Sequence, residues 1–80
     1  MASREYSYTV VFDLNETGGY TVSVPALPGL VTEGQTLDEA KEMARDAIAC
    51  YLEGLVKDGE PIPEEYEVLQ DTIRVAVGGV

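Results

Sequence analysis

The sequence predicts an α+β fold of two layers, an antiparallel-rich sheet with one amphipathic helix on one face, in the order β-β-β-α-β. Three observations lead to it: two alternating apolar runs around a glycine-containing loop, a capped helical stripe, and a third alternating run near the C terminus. Eighty residues suit a single domain, 1–80, with a small core.

Two runs near the N terminus alternate between apolar and other residues, as strands with one buried face do. They span residues 6–13 and 20–24, and the loop Asn15–Gly19 between them is rich in residues that tolerate positive φ. This arrangement predicts an antiparallel hairpin. Residues 30–34 are long enough for a short third strand closed by Gly34. The apolar side chains of the first two runs are Tyr6, Tyr8, Val10, Phe12, Tyr20, Val22 and Val24.

The helix has the clearest boundaries. Thr36 and Glu39 form a capping box, and Lys57 and Gly59 provide the stop signals, so we predict a helix over residues 37–58. Its apolar stripe recurs at three- and four-residue steps. The stripe consists of Leu37, Ala40, Ala44, Ala47, Ile48, Tyr51 and Leu55.

Between the second and third strands lies a stiff, partly apolar segment, Pro25–Gly29, here called the bend. Pro25 and Pro28 fix their own φ, and Gly29 permits a turn that a side chain would obstruct. We expect Leu27 to be displayed between the two prolines. A partner contact and a simple structural corner explain this segment about equally well.

The last alternating run is residues 72–77, which places Ile73, Val75 and Val77 on one side. Pro61 and Pro63 prevent the helix from continuing into it. We therefore expect the run to return to the sheet as a fourth strand.

The composition excludes several classes of function. The net charge of −10 disfavours direct nucleic-acid binding and indicates a basic macromolecular partner. The chain has no histidine and one cysteine, Cys50, so a disulfide within the chain and histidine-dependent nucleophilic catalysis are absent. Cys50 falls within the helical apolar pattern, which predicts a packing role. No signal peptide, membrane span or lipidation motif occurs, so the chain is expected to be cytoplasmic and not bound to membranes.

Two carboxylates could face each other across the sheet, Asp13 at the end of the first strand and Glu33 in the third. Carboxylate clusters hold magnesium, but with 15 acidic residues in the chain such a pair also arises by chance. We interpret both as solvated strand ends and predict no metal and no cofactor.

Four motifs together resemble the HicB-like antitoxin family: Tyr8–Phe12, Val24–Gly29, Thr32–Ala40 and Asp58–Pro63. The resemblance covers about residues 8–63. It implies a partial ribonuclease-H-like fold without that fold's catalytic carboxylates. It also implies a partner, a small basic HicA-type toxin that cleaves RNA. Many members carry a DNA-binding module, and none is expected here, which indicates a stand-alone member.

The leading hypothesis is therefore a non-enzymatic binding module that covers the active surface of such a toxin. A metal-dependent nuclease on the same scaffold is the alternative, testable through Asp13, and a non-catalytic oligomeric scaffold is a third. The predicted partner-binding residues are Asp13, Glu16, Pro25, Leu27, Pro28, Gly29 and Glu33.

Self-association is also predicted, as a homodimer or a higher even-numbered assembly. A domain this short has little core, and a sheet edge with a single charge, Arg74, is poorly protected. The predicted interface residues lie at the helix end and in the last strand, and are Tyr51, Leu55, Val56, Ile73 and Val75.

Overall fold

A computed structural model describes residues 4–65, 69 and 71–79. Three strands, β1 (Val11–Leu14), β2 (Tyr20–Ser23) and β3 (Val31–Gly34), precede one helix, α1 (Leu37–Lys57). The sheet order is β1-β2-β3, and both pairs are antiparallel. The predicted α+β class, the hairpin, the third strand and the helix are confirmed.

The first strand is shorter than the alternating run that predicted it. Pairing begins at Val11, opposite Ser23. The same register would next place Val24 and then Pro25 in the ladder, but Pro25 has no N–H to donate. The backbone also turns there, since the Leu27 N–H donates to the Val24 carbonyl at 2.9 Å. The ladder therefore ends at Val11.

Both ends of α1 are capped by the residues that predicted them. The Thr36 hydroxyl accepts a hydrogen bond from the Glu39 N–H at 3.1 Å, while the Glu39 carboxylate accepts from the Gln35 N–H at 3.2 Å. At the other end Gly59 has φ 72°, and the Glu60 N–H donates to the Leu55 carbonyl at 2.8 Å. This is a Schellman closure, in which a left-handed glycine satisfies the last free carbonyls.

The core beneath α1 consists of two clusters. The first core cluster is Val22, Ala40 and Ala44, with Val10, Phe12 and Tyr20 packed against it. The second core cluster is Val24, Leu27 and Leu30, and it contacts Tyr8, Val10, Ala47, Ile48, Tyr51 and Leu52. The second cluster thus continues the core beyond the last residue pair of the sheet.

The predicted fourth strand is wrong for the described structure: residues 72–77 form no strand. Ile73, Val75 and Val77 are 80%, 74% and 75% exposed. A strand is stable only beside a partner edge, and the described chain places no edge there. The radius of gyration, 16.1 Å, exceeds the value of about 12 Å expected for a compact chain of this length. The molecule is accordingly elongated, at 62 × 27 × 20 Å.

Candidate partner-binding surface

The sheet has one face under the helix and one open face, here called the outer face. Asp13 pairs with Thr21, and Thr21 pairs with Glu33, so the three side chains form one row across the sheet. Val22, the neighbour of Thr21, points into the core, which assigns the row to the outer face. Asp13 and Glu33 are exposed and lie about 10 Å apart, two strand spacings.

The third predicted acidic residue, Glu16, lies in the exposed hairpin loop at the same end of the sheet. This loop is closed by a hydrogen bond from the Asn15 N–H to the Gly19 carbonyl at 2.7 Å. The Thr21 hydroxyl donates to the Asn15 Oδ1 at 2.8 Å and ties the loop to the acidic row. The structure therefore brings Asp13, Glu16 and Glu33 to one end of the sheet.

The bend lies at the opposite end, because it follows β2 and precedes β3, where Ser23 pairs with Val31. Pro25, Pro28 and Gly29 are exposed. Gly29 has φ 84° with open space around it, so backbone conformation and not crowding requires glycine. The predicted site is thus divided between the two ends of the outer face.

Leu27 is not displayed, and that expectation was wrong. Its side chain is fully buried at the centre of the second core cluster. Its carbonyl accepts from the Leu30 N–H at 3.2 Å, so it is bound into two consecutive turns. The Tyr51 hydroxyl donates to the neighbouring Pro28 carbonyl at 3.1 Å and fastens the bend to α1. At Leu27 the bend is therefore a structural corner, and the Leu27 side chain points into the core.

Cys50 also departs from its prediction, because it is exposed and not packed. It follows Ala49, which is exposed as well, on the side of α1 away from the sheet. At the predicted interface near the helix end, Tyr51 and Leu55 are partly buried and Val56 is 63% exposed.

Sequence reasoning missed two features of the surface. Val31, 66% exposed, adds an apolar side chain to the outer face near the bend. Glu65 fixes the segment after the helix, since its carboxylate accepts from the Thr9 N–H at 2.7 Å and from the Thr9 hydroxyl at 2.6 Å. The alternation of side chains along β3 would have predicted that Val31 lies on the same face of the sheet as Glu33. No pattern in the sequence indicated the Glu65 contact.

Tyr8 belongs to the same contact. Burial raises the pKa of the Tyr8 phenol, and the neighbouring Tyr6 and Glu65 raise this pKa further. The neutral hydroxyl donates to the Pro63 carbonyl at 2.5 Å. The Tyr8 hydroxyl and the Glu65 carboxylate thus hold residues 63–65 against residues 8–9.

Neither a metal-binding group nor a membrane-spanning helix is found in the described part of the chain. Within residues 4–65, 69 and 71–79, no three His, Cys, Asp or Glu side chains approach closely enough to share a metal ion. In the same residues, α1 is too polar to cross a bilayer.

The chain folds as a small α+β domain of three antiparallel strands and one covering helix. The open face of its sheet carries the exposed carboxylates of Asp13 and Glu33. Residues 8–75 match the model of a family described as HicB-like antitoxin of bacterial toxin-antitoxin systems. The chain belongs to this HicB-like antitoxin family.

Proteins similar to this chain include two HicB antitoxins and a UPF0150 protein. The fold is similar to the crystal structure of the N-terminal domain of the antitoxin HicB from Burkholderia pseudomallei, with a TM-score of 0.66 and 29% identity over 74% of this chain and 69% of that one. Antitoxin HicB 1 of Photorhabdus laumondii is 43% identical over 50 residues, which are 62% of this chain and 32% of that protein. A UPF0150 protein of Thermoplasma acidophilum is 48% identical over 46 residues, 58% of this chain and 67% of the relative.

Proposed function

We propose that this chain is an antitoxin that binds a small basic toxin of HicA type in the cytoplasm and covers the RNA-cleaving surface of that toxin. Its membership of an antitoxin family and the name of the Photorhabdus relative support an antitoxin role. The net charge of −10 suits a basic partner, because opposite charge accelerates encounter and penalises wrong partners. In this proposal the chain acts by binding and catalyses no reaction.

The observation that carries the choice of surface is the row Asp13–Thr21–Glu33 on a sheet face that no described element covers. The row presents two exposed carboxylates at a fixed spacing, and Glu16 adds a third at the loop. Val31 supplies apolar area toward the bend. Such a face offers charge for steering and apolar surface for burial, the two components of a specific interface.

The proposed toxin contacts are therefore Asp13, Glu16 and Glu33 at one end, with Pro25, Pro28 and Gly29 at the other. A partner that touches both groups must span the length of the outer face. Leu27 is excluded from the contact set because it is buried.

Co-expression and pull-down with the protein encoded beside this gene is the first test. A purified pair then permits a charge-reversal measurement with a matched control. One double variant reverses two charges of the outer face, Asp13→Lys and Glu33→Lys. The control double variant, Glu42→Lys and Glu53→Lys, changes the net charge by the same amount on the exposed side of α1. We expect the first pair to weaken binding about 100-fold, at roughly tenfold per position, and the second to change it only a few-fold through the association rate.

Equal loss of affinity in both double variants would show that overall charge and not the outer face recognises the toxin. No association with the neighbouring protein, and no rescue of cells that express it, would contradict the antitoxin role. RNA cleavage by the purified chain with magnesium or manganese, abolished by Asp13→Asn, would replace the proposal with a nuclease.

A further inference from the structure

The helix leaves part of its own sheet face uncovered. α1 packs chiefly over β3 and β2. A helix is about 10 Å across, whereas three strands spaced about 4.8 Å apart present a wider surface. Beside β1 there remains an open groove of about 410 Å³, lined by Tyr8, Val10 and Phe12 from the N-terminal segment and by Lys41, Arg45 and Ile48 from α1.

The strand that borders this groove also has a free edge. β1 pairs with β2 on one side only, and within the described residues no other strand lies against it. A free edge presents unpaired N–H and C=O groups to any strand that can approach it. The groove and the edge together form a vacant strand position with an apolar floor.

The same chain carries a segment that fits such a position. Residues 71–77, here called the arm, alternate so that Ile73, Val75 and Val77 share one side. All three are at least 74% exposed, and no backbone hydrogen bond joins the arm to another described residue. Asp71 and Arg74 cancel in charge, so the arm can approach a chain of net charge −10 without the repulsion that opposes two whole bodies.

We propose that the arm of one chain occupies the groove beside β1 of a second copy, and that the exchange is reciprocal. Tyr8 and Thr9 hold residues 63–65 of the same chain through Pro63 and Glu65, and no residue of the arm is among those that line the groove of its own chain. A second copy supplies the groove that the arm can reach. Reciprocal exchange closes a two-fold dimer and removes both free edges.

This assembly uses the β1 edge and the helix-facing side of the sheet, whereas the proposed toxin contacts lie on the outer face and in the exposed loops at its two ends. The two proposals can therefore fail separately. A dimer that binds no toxin leaves the arm exchange standing, and a monomer that binds toxin overturns only the arm exchange.

Light scattering after gel filtration, at micromolar protein in moderate salt, gives the first test. The wild-type chain should have twice the 8.6 kDa mass of one chain. Val75→Lys should raise the dimer dissociation constant about 100-fold or more, because it places an ammonium group against the apolar floor. The matched control Ala76→Lys adds the same charge one residue away on the opposite side of the arm, and should remain dimeric. A monomeric wild type, or a Val75→Lys variant that dimerises as the control does, would overturn the proposal.

A second measurement uses the unaltered sequence. ¹³C-labelled and unlabelled chains are unfolded together, refolded and examined by isotope-filtered NOE spectroscopy. Phe12 is the only phenylalanine and lines the groove, so its ring signals are readily assigned. Contacts between the Val75 methyl groups and the Phe12 ring should appear between differently labelled chains. If these contacts occur only within one chain, or not at all, arm exchange does not take place.

Discussion

The two halves of α1 meet the rest of the chain in different ways. The N-terminal half lies directly on the sheet through small residues, with Ala40 and Ala44 in the first core cluster. Gly34 at the end of β3 approaches so closely that an added Cβ would stand 2.5 Å from the Ala40 backbone nitrogen. In this half, the small size of Ala40, Ala44 and Gly34 allows the helix to pack directly against the sheet.

The C-terminal half rests on larger side chains that the bend supplies. β2 and β3 cease pairing at Ser23 and Val31, so no paired strands lie beyond that point. Leu27 and Leu30 fill the space and contact the second half of the helix. The bend therefore acts as a piece of core inserted where the sheet ends. The stability of the packing under the N-terminal half of α1 should therefore be sensitive to added atoms. The packing under the C-terminal half should be sensitive to removed atoms.

Leu27→Ala should have the largest effect on stability. The side chain is fully buried, and truncation of such a leucine leaves a cavity. We expect a loss of about 3 kcal/mol in the free energy of unfolding and a fall in Tm of about 15 °C. Pro28→Ala, at the exposed neighbour, should cost less than about 1 kcal/mol. Urea denaturation at one fixed protein concentration measures both. Similar losses for the two variants would mean that the bend is held by its backbone and not by Leu27.

The contrast between Leu27 and the helix shows what the sequence could predict. The boundaries of α1 depend on local contacts such as the Thr36 hydroxyl and the left-handed Gly59, so a short window of sequence contains them. The direction in which Leu27 points depends on where β2 and β3 end relative to the helix. That is a long-range property, and the two prolines gave no indication of it.

The candidate site likewise combines features that the sequence could predict with features that it could not. Alternation correctly separated Asp13 from the apolar face of β1, and the register placed it in one row with Glu33. The distance between that row and the bend depends on the length of the ladder. Whether residues 72–77 pair depends on where the fold places them relative to a free strand edge, so propensity alone predicted a strand that the described structure lacks.

Gly34→Ala should have the next largest effect, in the other half of the helix. The new methyl group would collide with the backbone nitrogen and Cα of Ala40, at 2.5 and 2.7 Å, and backbone atoms cannot rotate away. We expect a loss of about 2 kcal/mol. The control is Gly54→Ala within α1, where an added methyl group would meet no atom within 4 Å other than those of its chain neighbours and of the helix's own backbone. It should stabilise the protein by about 0.5–1 kcal/mol through helix propensity. Thermal melts of both variants at equal concentration would show the opposite signs, and a neutral Gly34→Ala would disprove close approach as the reason for the glycine.

The smallest effect is expected at the border of the second core cluster, where Tyr8 binds the Pro63 carbonyl. Burial, and then the neighbouring Tyr6 and Glu65, raise the pKa of Tyr8 above its ordinary value of 10.0. The folded state therefore holds the phenol proton more tightly than the unfolded state does. The resulting stability is complete below pH 10 and is lost as the pH rises from there through the raised pKa. Deprotonation also removes the hydrogen-bond donor and places a negative charge near Glu65.

Urea midpoints measured between pH 8 and pH 11 should accordingly fall on the alkaline side. Tyr8→Phe should be less stable by about 1 kcal/mol at neutral pH, through loss of the hydrogen bond, and its alkaline decline should be shallower. Tyr20→Phe, which alters the first core cluster and retains Tyr8, should keep the wild-type decline. An equally steep decline in Tyr8→Phe would assign the alkaline sensitivity to other groups. A Tyr8→Phe variant as stable as the wild type at neutral pH would show that residues 63–65 are held by the Glu65 contact with Thr9 and not by the Tyr8 hydroxyl.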